Sequence, residues 1–157
     1  MTKGLFSDLD HTLIQPKEGR TFPNSYTDWE FIIPTKEKML EFHSNGYEII
    51  IVSNQGGIQY GYTTEEELAL KFEAIKAKMG IPMTFYYCKT NDKNDKMKKP
   101  NIGMAEKAAI DFDIDFENSI MVGDASGLEG QFSDSDKMFA KIAGIGTYYD
   151  VLEFQNL

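Results

Sequence analysis

Two aspartates one residue apart, Asp8 and Asp10, follow a short apolar run and precede a hydroxyl in the stretch Gly4-Leu5-Phe6-Ser7-Asp8-Leu9-Asp10-His11-Thr12-Leu13-Ile14. Side chains alternate along an extended chain, so the two carboxylates share a face only while a strand continues. A turn just after Asp8 lets both surround one pocket instead. Carboxylates that close repel each other unless a cation lies between them or one takes a proton. Both solutions suit phosphoryl transfer, in which a metal neutralises phosphate charge, one carboxylate attacks and the other carries a proton. Taken alone, an Asp-x-Asp pair reads more readily as an acidic turn in solvent, so the rest of the chain has to decide.

The elements that would position this pair alternate between strand and helix. After the first strand, residues 15–33 carry Pro16, Gly19, Pro23 and Thr27-Asp28-Trp29, and they read as a hairpin or loop excursion too small for a second domain. Pro34 begins a helix over about 35–45, with Met39, Leu40 and Phe42 on its core face and Asn45-Gly46 as its stop. Tyr47 to Ser53 is a β-branched run of the kind that a parallel sheet buries on both faces. Thr63-Thr64 ahead of Glu65-Glu66-Glu67 caps a helix over about 64–79 that ends at Gly80. A strand at about 83–88 and a helix at about 101–111, packed through Met104, Ala105, Ala108 and Ala109, come next. A strand at 119–123, a helix at about 134–143, a short strand near 146–149 and a terminal helical turn complete the order. Such alternation predicts a doubly wound parallel α/β sheet forming one domain over residues 1–157. Ligands of such sheets bind outside the carboxyl ends of the strands.

Asp8 and Asp10, Ser53 and Asn54, and Asp124 all fall at carboxyl ends of predicted strands, and Lys99 immediately precedes a helix. They are expected to meet at one sheet edge. Acids would hold a cation, a hydroxyl and backbone amides would hold phosphate oxygens, and a lysine would balance charge. Each has an ordinary alternative: a strand-end serine, one surface lysine among many, a Gly-Asp turn. Together they would need several coincidences. The donors are hard oxygens, and Cys88, His11 and His43 offer no soft cluster, so Mg²⁺ is the expected cofactor.

Composition limits the rest. A chain of 157 residues with 41% hydrophobic content suits a normal core, and no run approaches the ~20 apolar residues of a membrane span. An early charge at the N-terminus and a single cysteine lead us to expect an intracellular setting, cytoplasmic or nuclear. A net charge of -9 opposes a general nucleic-acid coat. Between Lys89 and Pro100, however, five lysines meet two acids, 5 - 2 = +3, so a basic border beside Lys99 is expected.

Four motifs in order, Asp8-Leu9-Asp10-His11-Thr12-Leu13-Ile14, Ser53-Asn54-Gln55, Lys99-Pro100 and Val122-Gly123-Asp124, resemble those of the haloacid dehalogenase superfamily of phosphatases. The resemblance implies a Rossmann-like fold with a minimal cap and a phosphoric monoester hydrolase. It further implies Asp8 as nucleophile forming an aspartyl-phosphate, Asp10 as general acid and then base, and Thr12 as support for the turn. Ser53, Asn54 and Lys99 would bind phosphate, and Asp124 the Mg²⁺, which Asp10 would also reach through its carbonyl. The family's second acid of the fourth motif usually stands about where Glu129 does. Asp136 is the better match, because Asp136-Lys137-Met138-Phe139-Ala140-Lys141-Ile142-Ala143-Gly144-Ile145 reproduces the family's helix after that acid, and the interval from Asp124 is then an insertion.

Phe22-Pro23, Asp28-Trp29, Gly57-Ile58 and Phe132-Ser133 before Asp136 are similar to the 3'-phosphatase domain of polynucleotide kinase 3'-phosphatases, which implies action on nucleic-acid 3' ends in DNA repair. No Gly-x-x-x-x-Gly-Lys-Ser/Thr loop occurs, so no kinase domain is expected. Two positions depart: His11 stands where the family commonly has glycine, and Leu128 where it has arginine. Trp29 is either a base-stacking platform or packing, with packing the commoner fate of a single tryptophan. A small-molecule phosphatase of the histidinol-phosphate or heptose-bisphosphate type is the alternative function, and a non-enzymatic binding module on the same fold is the second.

Overall fold

The computed structural model describes residues 1–17 and 25–157. Chain order runs β1 (Gly4–Ser7), a short pair β2 (Ile14–Gln15) and β3 (Glu30–Phe31), α1 (Ile33–Ser44), β4 (Glu48–Asn54), α2 (Glu65–Met79) and β5 (Thr84–Cys88). It continues through α3 (Gly103–Phe112), β6 (Ile120–Gly123), α4 (Ser135–Ala143), β7 (Thr147–Asp150) and α5 (Val151–Gln155). Five strands form a parallel sheet in the order β5-β4-β1-β6-β7. The doubly wound α/β architecture is therefore as expected, with β1 at the centre and the chain leaving it first on one side and then on the other.

The apolar runs explain the layering. Side chains alternate along a strand, so a continuous apolar run serves two cores at once. Leu5, Ile49, Ile51 and Val122 face one core with Met39 of α1, Leu68, Phe72 and Ile75 of α2, and Phe154 of α5. Phe6, Ile50, Val52 and Met121 face the other with Met104, Ala105 and Ala108 of α3 and Phe139 and Ala140 of α4. The registers Leu5↔Ile49 and Leu5↔Ile120 keep these faces aligned across the sheet.

Helix ends follow local chemistry. Thr64 accepts from Glu67 N at the start of α2, and Gly80, at φ 72°, closes it. α1 begins two residues earlier than expected, because Pro34 lies inside the first turn, where its fixed φ and missing N–H are tolerated. α3 begins two residues later than expected. Asn101 is held in the preceding loop by its bonds to Lys93 O and Asp95 O, and a Cβ at Gly103 would lie 2.5 Å from Lys96 O.

The excursion after β1 is a hairpin in part, with Ile14 paired to Phe31 and Gln15 to Glu30. Gly19 and Phe22-Pro23 lie outside the described residues. Trp29 is packing: it is 6% exposed, meets Phe31 edge-on at 5.1 Å and carries Lys78 Nζ 4.9 Å from its ring. Among the described residues no helix is long and apolar enough to cross a membrane.

β6 must end on glycine. A Cβ at Gly123 would lie 2.4 Å from Oδ2 of the buried Asp136 in α4. Gly123→Ala is expected to lower the unfolding free energy by about 1–3 kcal/mol through this overpacking. Urea unfolding checks it, and an unchanged midpoint would show that β6 and α4 can separate freely.

Candidate active site

The first strand delivers Asp8 where the sequence placed it. Asp8 N bonds Val122 O at 3.1 Å, the last tie to the sheet, and the chain then turns. The N–H groups of Thr12, Leu13 and Ile14 converge on Leu9 O at 3.3, 3.0 and 3.1 Å. His11 takes φ 63°, a left-handed conformation that glycine adopts without cost, so the histidine carries local strain there. Its side chain is exposed, while the hydroxyl of buried Thr12 lies 3.5 Å from Asp8 Oδ2.

Lys99 reaches Asp8 from the segment after β5. Its Nζ donates to Asp8 Oδ1 at 3.0 Å and to Asp136 Oδ1 at 2.6 Å, and its side chain is 3% exposed. Asp136 is fixed from the other side by Ala125 N on its Oδ2 at 3.0 Å. Asn54 spends its amide on the Lys99 peptide, accepting from Lys99 N at 2.9 Å and donating to Lys99 O at 3.3 Å. The residue expected on phosphate is thus engaged in holding Lys99. Ser53 Oγ accepts from Gln55 Nε2 at 2.7 Å.

Asp8, Asp124 and Asp136 each bring a carboxylate oxygen within 4.8 Å of the other two. Glu129 is exposed on the intervening loop and outside this group. That loop is tied down: Ser126 N and Leu128 N both donate to Gln131 Oε1, and Gln131 Nε2 and Ser126 Oγ donate to Asp150 Oδ1.

The electrostatics mark unbalanced charge. Burial pushes the Asp8 carboxyl up to about 7; Lys99 opposes this, and Asp124 and Asp10 add to it. Burial, and then Asp8, pushes Asp136 up to about 6 against the pull of Lys99. Asp124 is raised by burial as well. Burial works against the Lys99 ammonium, but Asp136 and Asp8 outweigh it and hold the proton beyond the usual lysine range. Three carboxylates against one ammonium leave -3 + 1 = -2, and all three donors are hard oxygens. A divalent cation fits this set in both charge and donor type.

Asp10 is held apart from this cluster. Gln55 Nε2 donates to its Oδ2 at 2.9 Å, and Lys71 Nζ stands 3.9 Å from its Oδ1. The motifs assign neither neighbour a role. Gln55 closes the second motif, and Lys71 sits on the buried stripe of α2 between Leu68, Phe72 and Ile75, where a lysine is out of place. The basic segment divides. Lys99 enters the site and Lys98 binds Asn91, whereas Lys93 and Lys96 border an open depression of about 450 Å³ with Gly103, Glu106 and Ile142.

Comparison with known proteins agrees with this geometry. A family model described as polynucleotide kinase 3 phosphatase matches residues 4–151. A bifunctional polynucleotide phosphatase/kinase of Schizosaccharomyces pombe is 32% identical over 88% of this chain, which spans 34% of that protein. A probable D-glycero-D-manno-heptose-1,7-bisphosphate 7-phosphatase of Thermoplasma volcanium is 30% identical over 87% of this chain and 94% of its own length. The D,D-heptose 1,7-bisphosphate phosphatase of B. bronchiseptica, solved with magnesium and phosphate, shares the fold, with a TM-score of 0.74 over 93% of this chain and 79% of that one at 20% identity. The chain is therefore a phosphatase that belongs to the polynucleotide kinase 3 phosphatase family, and it shares its fold with a haloacid dehalogenase-like phosphatase.

Proposed function

We propose that the chain removes phosphate from the 3' end of a polynucleotide through an aspartyl-phosphate on Asp8. The observation that carries this reading is the Asp8 carboxylate, held by Lys99 beside two further acids at the carboxyl edge of the sheet. An Asp8 oxygen bonds to phosphorus while the bond from phosphorus to the 3' oxygen breaks, and Asp10 gives its proton to that leaving oxygen. Asp10 then takes a proton from a water whose oxygen attacks the phosphorus, which frees inorganic phosphate and restores Asp8. Ser53 and Lys99 hold phosphoryl oxygens, and Asn54 acts through Lys99. Mg²⁺ held by Asp8, Asp124, Asp136 and the Asp10 carbonyl would supply positive charge to those oxygens.

The family match over residues 4–151 supports a polynucleotide. So do Lys93, Lys96 and Lys98, none of which is ion-paired among the described residues. A heptose-bisphosphate-type phosphatase is the second reading. It has support from a relative matched over 94% of its own length, against 34% for the polynucleotide relative. A phosphate-release screen compares a 3'-phosphorylated oligonucleotide, its 5'-phosphorylated counterpart, histidinol phosphate and heptose bisphosphate. Preference for the 3'-phosphorylated end is expected, and preference for either small molecule would transfer the assignment to the second reading.

Two predictions follow from the proposed roles. Asp8→Asn and Asp10→Asn should each nearly abolish turnover while circular dichroism stays native, because nucleophile and proton carrier act as one unit. A folded Asp8→Asn protein with near-normal turnover would sink the covalent scheme.

The second concerns pH. The folded values of Asp8 and Asp136 lie at about 7 and about 6, above the ordinary 3.8. Between pH 3.8 and 7 the unfolded chain therefore loses protons that the folded one keeps, so metal-free stability falls as pH rises through that window. The loss should be on the order of a few kcal/mol. Mg²⁺ should raise Tm more at pH 8 than at pH 5, and Asp136→Ala should weaken this more than Glu129→Ala. Equal Mg²⁺ effects at the two pH values would disprove it.

A further inference from the structure

Trp29 is packed away, but aromatics elsewhere stand in solvent, among them two on the segment that follows the second motif. Tyr60 and Tyr62 are 57% and 83% exposed. Their ring centroids are 6.0 Å apart with planes inclined by 39°, so neither ring covers the other. The segment that carries them begins at Gln55, the residue bonded to Asp10 and Ser53. It is fixed by a turn at Gly56–Ile58, by Gly61 N on Ile58 O at 3.1 Å and by Tyr62 N on Gly57 O at 3.0 Å.

Asn91 joins this segment to the lysines. Its N–H donates to Gln59 Oε1 at 2.6 Å, and its Nδ2 to the Tyr60 hydroxyl at 3.3 Å. Lys98 Nζ donates to Asn91 O and Oδ1 at 3.2 and 2.7 Å. Both acceptors are neutral, and no carboxylate among the described residues pairs with Lys98. The next residue, Lys99, lies on Asp8. A connected track thus runs from Asp8 through Lys99, Lys98 and Asn91 to two open aromatic faces.

We propose that Tyr60 and Tyr62 form a stacking platform for the terminal bases of a single-stranded polynucleotide 3' end, with Lys98 on an adjoining phosphodiester. This rests on the polynucleotide reading above. Every base offers a planar face, so stacking here is tolerant of sequence. The uncompensated Lys98 charge suits a polyanion. A sugar bisphosphate has no planar face to lay on the rings.

Steady-state kinetics on the full chain with Mg²⁺ test the platform. The substrates are a short 3'-phosphorylated oligonucleotide, the same oligonucleotide lacking its two terminal bases, an aryl phosphate and heptose 1,7-bisphosphate. In the Tyr60→Ala/Tyr62→Ala variant the kcat/KM ratio of oligonucleotide to aryl phosphate should fall about tenfold, mostly through KM. Removing the bases should cost the unaltered protein a similar factor and cost the variant nothing more. Phe at both positions should restore the ratio. Lys98→Ala should flatten the dependence of log KM on log salt by about 0.7. If the oligonucleotide is hydrolysed well but base removal costs protein and variant alike, the platform is wrong and the substrate reading stands. If heptose bisphosphate loses as much as the oligonucleotide, the tyrosines grip a sugar and the platform is likewise overturned. If the unaltered protein cleaves the aryl phosphate but not the oligonucleotide, the substrate reading fails and the platform falls with it.

Discussion

One ammonium between two buried carboxylates holds this site together. Lys99 binds Asp8 at 3.0 Å and Asp136 at 2.6 Å where almost no water reaches. Burying such charges is costly, and their attraction offsets the cost only when geometry and further hydrogen bonds are good. The surrounding sequence supplies those conditions. Asn54 grips both sides of the Lys99 peptide, the Ala125 N–H holds Asp136, and Gly123 leaves the space that the Asp136 carboxylate fills. The three motifs at 53–54, 99 and 123–136 are therefore one structural unit tied to Asp8.

The sheet order explains why these pieces meet. β1 lies between β4 and β6, so the loops that leave those two strands flank Asp8 from opposite sides. Chain leaving β4 brings Ser53, Gln55 and the tyrosines, and chain leaving β6 brings Asp124 and the loop pinned to Asp150. The segment after β5 is held at the end of β4 by Asn54, which sets Lys99 beside Asp8. A parallel doubly wound sheet gathers such loops at the edge where strand order reverses.

Most of this was legible in the sequence, for a physical reason. Short apolar and aromatic runs with helical stretches between them can be buried in few ways, and their alternation located every strand of the large sheet. Strand ends then located Asp8, Ser53 and Asp124. The choice of Asp136 over Glu129 rested on the helix that follows, and in the structure Asp136 meets Asp8 and Asp124 while Glu129 points to solvent. Contacts distant in sequence were not legible. Nothing local says that Asn54 will clasp a peptide 45 residues away, or that Lys71, on an otherwise apolar stripe, will stand beside Asp10.

The closeness of Gly123 and Asp136 also constrains how this scaffold can diverge. No amino acid is smaller than glycine, and none carries a carboxylate on a shorter stem than aspartate, so neither partner can shrink to let the other grow. Drift at one position is closed for as long as the other keeps its function. Variation is free instead where side chains stand out in solvent, as Leu128 and Phe132 do. Lineages built on this frame can thus change what they hold at the rim while the interior chemistry stays fixed.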